Sequence, residues 1–217
     1  MSGGPVDDLP GILPIFPLSG AVLLPHGRMP LNVFEPRYLN MVHAALGADR
    51  MIGMIQPRTS GRETAADNVA LYAIGCVGRI SDFSQTKNGQ CIIVLSGLCR
   101  FEIIEELDIC DGYRRVRPDY RRFLDDRVEP TVFLPDRERL LIALKGFLAA
   151  HDLATDWNTA DRASDPMLIN SAAMACPFKP QEKQALLEAD DLNQRAERLI
   201  ALFEMDSHRI EGHGVLH

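Results

Sequence analysis

None of the four lysines in this 217-residue chain follows a glycine; Lys87, Lys145, Lys179 and Lys183 come after Thr86, Leu144, Phe178 and Glu182. A nucleotide-binding P-loop needs the Gly-Lys step so that backbone amides and the lysine converge on phosphate, so an ATPase of that kind is excluded. No apolar run approaches the roughly 18 residues that cross a bilayer. The opening MSGGPVDDLPG has no basic segment ahead of an apolar one, so no secretory leader is expected and the cytoplasm is the expected location. The five cysteines (76, 91, 99, 110 and 176) are odd in number and never in CxxC spacing. That argues against a disulfide framework or a structural zinc site, and reduced, buried thiols are expected. There is no excess of positive charge either. The net charge of −7 and pI near 5.4 speak against non-specific binding to nucleic acid or an anionic membrane. His26 and His43 lack acidic or cysteine neighbours at ligand spacing, and His208, His213 and His217 fall in an expected tail. No metal and no cofactor is expected.

What is present is an ordinary globular composition, 46% hydrophobic and 24% charged, with length for one large domain or two small ones. Residues 1–126 hold 13 basic and 15 acidic residues and 127–217 hold 10 and 15, so the acidity gathers in the second half. The strongest local signals lie in 12–47. Leu13 to Leu18 is an apolar run carrying Pro14 and Pro17, which reads as an edge strand because proline cannot donate to a ladder. Val22-Leu23-Leu24 reads as a second, short strand and Leu31 to Phe34 as a third. Pro36 suits a first helical position. Tyr38, Leu39, Val42, Ala45 and Leu46 then recur at helical spacing, and Gly47 suits a left-handed C-cap.

Further on, Met51 to Ile55 reads as a buried strand and 57–68 as an exposed loop. Leu71 to Phe83 is β-rich, with Gly75 and Gly78 marking a bulge or a close backbone approach. Asn88-Gly89 predicts a two-residue type I′ hairpin, which sets Lys87 opposite Gln90 and Thr86 opposite Cys91. Cys91 to Leu95 returns, Gly97 is expected to break that strand, and Arg100–Leu107 and Tyr113–Tyr120 follow as further strands. From Pro135 the period becomes helical. Leu140, Leu141, Leu144, Phe147 and Leu148 form the first stripe. Asp165 is expected as the N-cap of a second helix, Pro180 starts a third, and Asp191 with Gln194 forms a capping box for a fourth. Short loops between amphipathic helices favour a bundle.

The words FPL, LP and Phe34-Glu35-Pro36-Arg37-Tyr38, in that order and spacing, resemble the N-terminal (substrate-recognition) domain of Lon proteases, in its stand-alone bacterial form. Gly78-Arg79-Ile80, the segment LSGLCRFEI at 95–103 and Pro177-Phe178 followed by Lys183-Gln184-Ala185-Leu186-Leu187-Glu188 resemble it as well. The resemblance covers roughly residues 12–205. It implies an α+β protein, with an N-terminal PUA-like twisted β-domain over 12–126 and a C-terminal helical bundle over 127–210, between tails at 1–11 and 211–217. It also implies a non-catalytic module that binds unfolded or degradation-bound protein segments, without the ATPase and protease parts of full-length Lon.

Two other functions are open on the residues. Arg114, Arg115, Arg117, Arg121 and Arg122 among Tyr113, Tyr120 and Phe123 have the composition of an RNA-binding strip. Against that, strand alternation puts Arg114 on the face opposite Arg115 and Arg117, and nearby acids suggest arginines paired at a domain junction. A hydrolase would need a serine meeting a lysine in space, yet no lysine sits in a context that suggests burial. For peptide binding, Met29, Phe34, Met51 and Met54 beside the 57–68 loop are the candidates, since methionine re-packs around varied partners.

Overall fold

The computed structural model describes residues 8–58, 69–130, 134 and 136–213, with side chains described as far as Asp206. In chain order the elements are β1 (Leu13–Pro17), β2 (Arg28–Val33), α1 (Pro36–Leu46), β3 (Met51–Ile55), β4 (Ile74–Gln85), β5 (Cys91–Cys110) and β6 (Tyr113–Asp119). They are followed by a kinked 3-10 segment (Arg121–Arg127), then α2 (Arg137–Ala150), α3 (Trp157–Arg162), α4 (Asp165–Ala175), α5 (Pro180–Leu187) and α6 (Leu192–His213). The described residues fall into two compact units. One is drawn from Met1–Glu129 with Phe178–Leu187, the other from Pro130–Pro177 with Glu188–His217. The protein is α+β.

The first unit is one six-stranded sheet in the order β2-β5-β4-β3-β1-β6, with β6 pairing β5 as well. The second β6 pairing closes a ring of β5, β4, β3, β1 and β6. Only β1 and β3 run parallel. The twenty-residue β5 makes closure possible. Its first half pairs β2 and β4, and its second half pairs β6.

Proline placement follows from the alternation of N–H directions. Leu18 N–H donates to Ile55 O at 3.0 Å, so even-numbered residues of β1 face β3. Pro14 would face β3 one residue before that ladder begins at Ile15, and Pro17 would face β6 beyond a ladder that spans Leu13 to Ile15. β1 is therefore an interior strand and not the expected edge. Its prolines sit just outside the ladder that each would otherwise interrupt.

Four other expectations fail. Val22, Leu23 and Leu24 are buried but form no strand. They cross the sheet against Gly97, and a turn over Leu24-Pro25-His26-Gly27 places His26 at φ +62°. Gly97 does not end β5 either. It sits at a bulge where Val77 pairs Cys99 and Gly78 pairs Gly97, leaving Leu98 extra. The hairpin is one residue longer than expected. Gln85 pairs Cys91, Thr86 faces Gln90, and only Gly89 has positive φ, at +78°. Gly89 N–H donates to Thr86 O and Thr86 Oγ1 accepts from Gln90 N–H. The result is a three-residue loop of the type I plus left-handed glycine kind. Gly47 is right-handed, and Arg50 takes the positive φ nearby.

α5, expected with the helices, belongs by its contacts to the sheet unit. The reason is a buried amide chain. Gln56 Nε2 donates to Pro180 O and Gln184 Oε1, Gln184 Nε2 donates to Ile74 O, and Gly20 N–H donates to Gln56 Oε1. Residues 8–11, expected as tail, are likewise held, by Asp8 to Arg127 at 2.8 Å and Tyr120 Oη to Pro10 O at 3.1 Å.

In the helical unit α2 buries Leu140, Leu144, Phe147 and Leu148, and Phe147 stacks on Phe203 of α6 at 4.9 Å. Ser164 is the N-cap of α4, not Asp165. Asp165 instead accepts from Leu134 N–H and binds Arg137, whose guanidinium also donates to the Ala160, Asp161 and Ala163 carbonyls. α3, capped by Asp156, is too short to show a period in sequence. Asp191 accepts from Gln194 N–H at 2.8 Å at the start of α6, the first half of the expected box, while Gln194 Oε1 accepts from Asp190 N–H at 3.0 Å, one residue ahead of the cap. The expected 57–68 loop lies outside the described residues at 59–68, as do the side chains of His208 and His213 and the whole of His217.

The glycines give a first test. A Cβ on Gly97 would lie 2.1 Å from Leu24 O, backbone that cannot swing aside, whereas Gly89 opens on empty space and asks only for positive φ. Gly89→Ala should cost about 1–2 kcal/mol, the left-handed penalty, and Gly97→Ala clearly more. Urea unfolding midpoints with unchanged slopes would check both.

Candidate functional site

The Phe34–Tyr38 segment joins β2 to α1, and each residue has a separate task there. Glu35 is the N-cap residue, with its carboxylate turned to Arg37 at 3.0 Å, and Pro36 opens the helix. Arg37 lies over the Tyr38 ring at 4.7 Å, and Tyr38 stacks on Phe16 of β1 at 4.2 Å. Phe34 has no place in that packing and stands 61% exposed. Val33 pairs Cys91 and faces inward, so alternation turns Phe34 outward, on the side of Ile92, itself 44% exposed.

The other three candidates are buried: Met29 at 8%, Met51 at 3% and Met54 at 2%. Met51 and Met54 are buried on β3, paired with Arg79 and Cys76 of β4, and their odd and even positions turn them to opposite faces of the strand. Met29 pairs Leu95 from β2. The four therefore do not share one surface. Phe34 presents its side chain to solvent, and Met29 lies beneath the same strand.

The arginine strip resolves into pairs. Arg114 Nε donates to Glu106 at 3.2 Å and Arg114 Nη1 to Val69 O at 2.8 Å. Arg115 Nη2 donates to Asp108 O, Arg117 Nε to Glu105, and Arg121 makes a double contact with Asp119. Arg122 lies over Phe123 at 5.2 Å. The acids come from the neighbouring strand β5 and from β6 itself, within one unit, so Arg114 and Arg117 make cross-strand contacts of a hairpin and Arg121 a local one, rather than a domain junction. Arg121, through its side chain and its backbone N–H, holds the Asp119 carboxyl down at about 2.

Beneath this hairpin sits a buried polar knot. The Arg100 side chain, 5% exposed, grips Asp126 in a fork at 2.8 Å on both oxygens and donates from Nη1 to Leu187 O at 3.2 Å. Its guanidinium also covers the Phe123 ring at 4.8 Å. Cys99 Sγ donates to Phe123 O, and burial, reinforced by Asp126, pushes its thiol up to about 12. A thiol held protonated is no nucleophile at neutral pH. Lys183, for which sequence context suggested exposure, is buried on α5 at 5%. Its buried face, with Gln184, Leu186 and Leu187, is wider than an apolar stripe, so Lys183 falls within it. Among the described residues no group of three or more His, Cys, Asp or Glu is placed to hold a metal ion, and no helix is long and apolar enough to cross a membrane.

Two outcomes test the knot. Asp126→Ala should destabilise by about 3–5 kcal/mol, because it strands a buried guanidinium, while leaving Phe34 exposed as before. Cys99 has a folded pKa above its ordinary value of 9.0, so the unfolded chain releases its proton first as pH rises. Stability should be indifferent to this thiol below about 9 and fall between there and about 12. Cys99→Val should flatten that fall in urea titrations at stepped pH.

Comparison with known proteins then places the chain. It is 29% identical over 205 residues to Lon protease 2 of Myxococcus xanthus and 24% identical over 204 residues to Lon protease of Escherichia coli K12, matches that cover 90% and 89% of this chain. It spans about a quarter of the length of these curated relatives. Among solved structures, a Lon N-terminal domain protein from Xanthomonas campestris superposes with a TM-score of 0.60 at 24% identity, over 88% of this chain and 97% of that one. The N-terminal domain of a Mycobacterium avium complex Lon protease gives 0.58 at 17%, over 89% and 98%. Both likenesses show the fold. Residues 12–204 match the family model of the ATP-dependent protease La (LON) substrate-binding domain, and the chain belongs to that family.

Proposed function

We propose that this chain is a recognition module for protein segments, unfolded or bound for degradation, acting in the cytoplasm without catalysis of its own. The observation that carries the reading is the family match over 12–204, a match to a substrate-binding domain that covers most of the chain. The contact surface is the corner of the sheet unit where β2 meets α1. Phe34 is its exposed aromatic, and Met29 lies on the inward side of the same strand; Met51 and Met54, buried on β3, are not part of it. An exposed phenylalanine costs little when free and gains from burial against an apolar side chain of a partner.

The RNA reading gains nothing from the arginines. Arg114, Arg117 and Arg121 face carboxylates of their own hairpin, and phosphate would have to displace each.

The test is capture of a reduced, carboxymethylated protein by the purified chain, read by anisotropy over a range of salt. Binding is expected and should hold nearly constant between low and physiological salt, whereas phosphate contacts would weaken steeply. Phe34→Ser should lower affinity at least tenfold with the melting temperature unchanged. Saturable ATP binding, or cleavage of the captured protein, would overturn the non-catalytic reading.

A further inference from the structure

β2 is the one strand of the ring's sheet that has a neighbour on one side only, among the described residues. Its register with β5 tells which groups are free. Gly97 N–H donates to Gly27 O at 2.8 Å, so odd-numbered residues from 27 to 33 turn their backbone groups to β5. Arg28, Pro30 and Asn32 therefore turn theirs outward, and all three residues are exposed. The free edge offers N–H groups at 28 and 32 and carbonyls at 28, 30 and 32. Pro30 has no N–H to offer and interrupts the row.

We propose that this edge takes an extended, uncharged, apolar-rich protein segment as an added strand. The inference rests on the reading of the chain as a segment-recognition module, and gives that module its mode of binding. Backbone groups in an exposed row are complementary to another extended backbone and to little else. The charge around the edge selects the segment's chemistry. Arg28 is closed on Asp82 at 2.9 Å and Glu35 on Arg37 at 3.0 Å, so a charged side chain meets no unmatched charge there. The apolar surface flanks the edge on both faces. Phe34, Ile92 and Pro30 lie outward, and Met29, Leu31 and Val33 lie inward, with Leu31 half-buried. An added strand with alternating side chains would cover Leu31 and Met29 with one set and meet Phe34 with the other. A second copy of the chain fits poorly. Two β2 edges meeting antiparallel would set Pro30 into the shared ladder, where it has no donor to give.

The probe is a short, labelled peptide of alternating valine and threonine, with two relatives N-methylated on one or the other set of alternate amides. Strand addition uses one edge of the peptide. One methylated form should bind like the parent and the other at least tenfold more weakly, since each lost pairing is worth several-fold. On the protein, Asn32→Pro should weaken the parent peptide several-fold by removing an outward N–H. Pro30→Val should strengthen it by adding one. Neither group donates within the fold, so melting temperatures should stay close to the parent's and show that folding is intact. Equal binding of both methylated forms, or equal loss by both, would overturn strand addition, as would insensitivity to both substitutions. If the carboxymethylated protein is still captured in that case, segment recognition stands without it. If neither peptide nor unfolded protein binds, segment recognition itself fails and the edge proposal with it.

Discussion

A buried guanidinium must be paired, and in the sheet unit Arg100 dictates what surrounds it. It projects from the middle of β5, where the strand passes from its β4 partner toward its β6 partner. Removing such a charge from water costs several kcal/mol unless the fork geometry and remaining donors are matched. Asp126 matches the fork, its oxygen also takes Arg100 N–H, and the carbonyl of Leu187 takes the remaining arm. The chain must therefore return twice to one place, once as the 3-10 segment after β6 and once at the end of α5. The groups that meet it there lie 26 and 87 residues away in sequence. Cys99 and Tyr120, the neighbours of this knot, are held protonated by the same burial. The knot is consequently dry and structural, and no reactive group is poised in it.

The ring closes because β5 is long enough to have different partners along its length, and bulges let it turn. Register slips between Val77 and Gly78 and between Ile80 and Asp82 bend β4 around it, the recognised way a sheet curls into a barrel. Small residues then admit large ones. Phe101, fully buried, would meet a Cβ on Gly75 at 2.7 Å and on Gly53 at 3.0 Å, so two glycines on neighbouring strands make the seat of this ring. Prolines serve the opposite end, finishing ladders in β1 and interrupting the outer row of β2.

What sequence revealed and what it hid divide along the same physical line. Local periodicity and capping chemistry located Pro36, Pro180, the Asp191 cap and strands β3, β4 and β6, but split the twenty-residue β5 in two at Gly97. Decisions made by distant partners were not legible. Two prolines in β1 suggest an edge, and only the offset of two ladders shows how an interior strand tolerates them. Asn88-Gly89 prefers a two-residue turn, yet Thr86 and its hydroxyl close a longer one with Gln90. α5 carries a helical signal like its neighbours. Its assignment to the sheet rests on Gln56, Gln184 and Ile74, through three contacts that each span more than a hundred residues. For the candidate surface, methionine content pointed to Met29, Met51 and Met54. Burial separates them from Phe34, whose exposure follows from being the first residue past β2.

Under the proposed strand addition, β2 has to offer backbone pairing to a segment without inviting its own kind. An uninterrupted apolar edge would aggregate, and an edge covered by a helix would bind nothing. β2 lies between these limits. It is six residues long, it carries one proline whose absent N–H faces outward, and its flanking charges are already satisfied. Behind it the ring is pinned by Arg100 and by the amide chain to α5. Rigid support beneath a small, blunted, uncharged edge is the arrangement that lets weak and sequence-tolerant pairing be reversible, because little ordering of the protein itself accompanies each encounter.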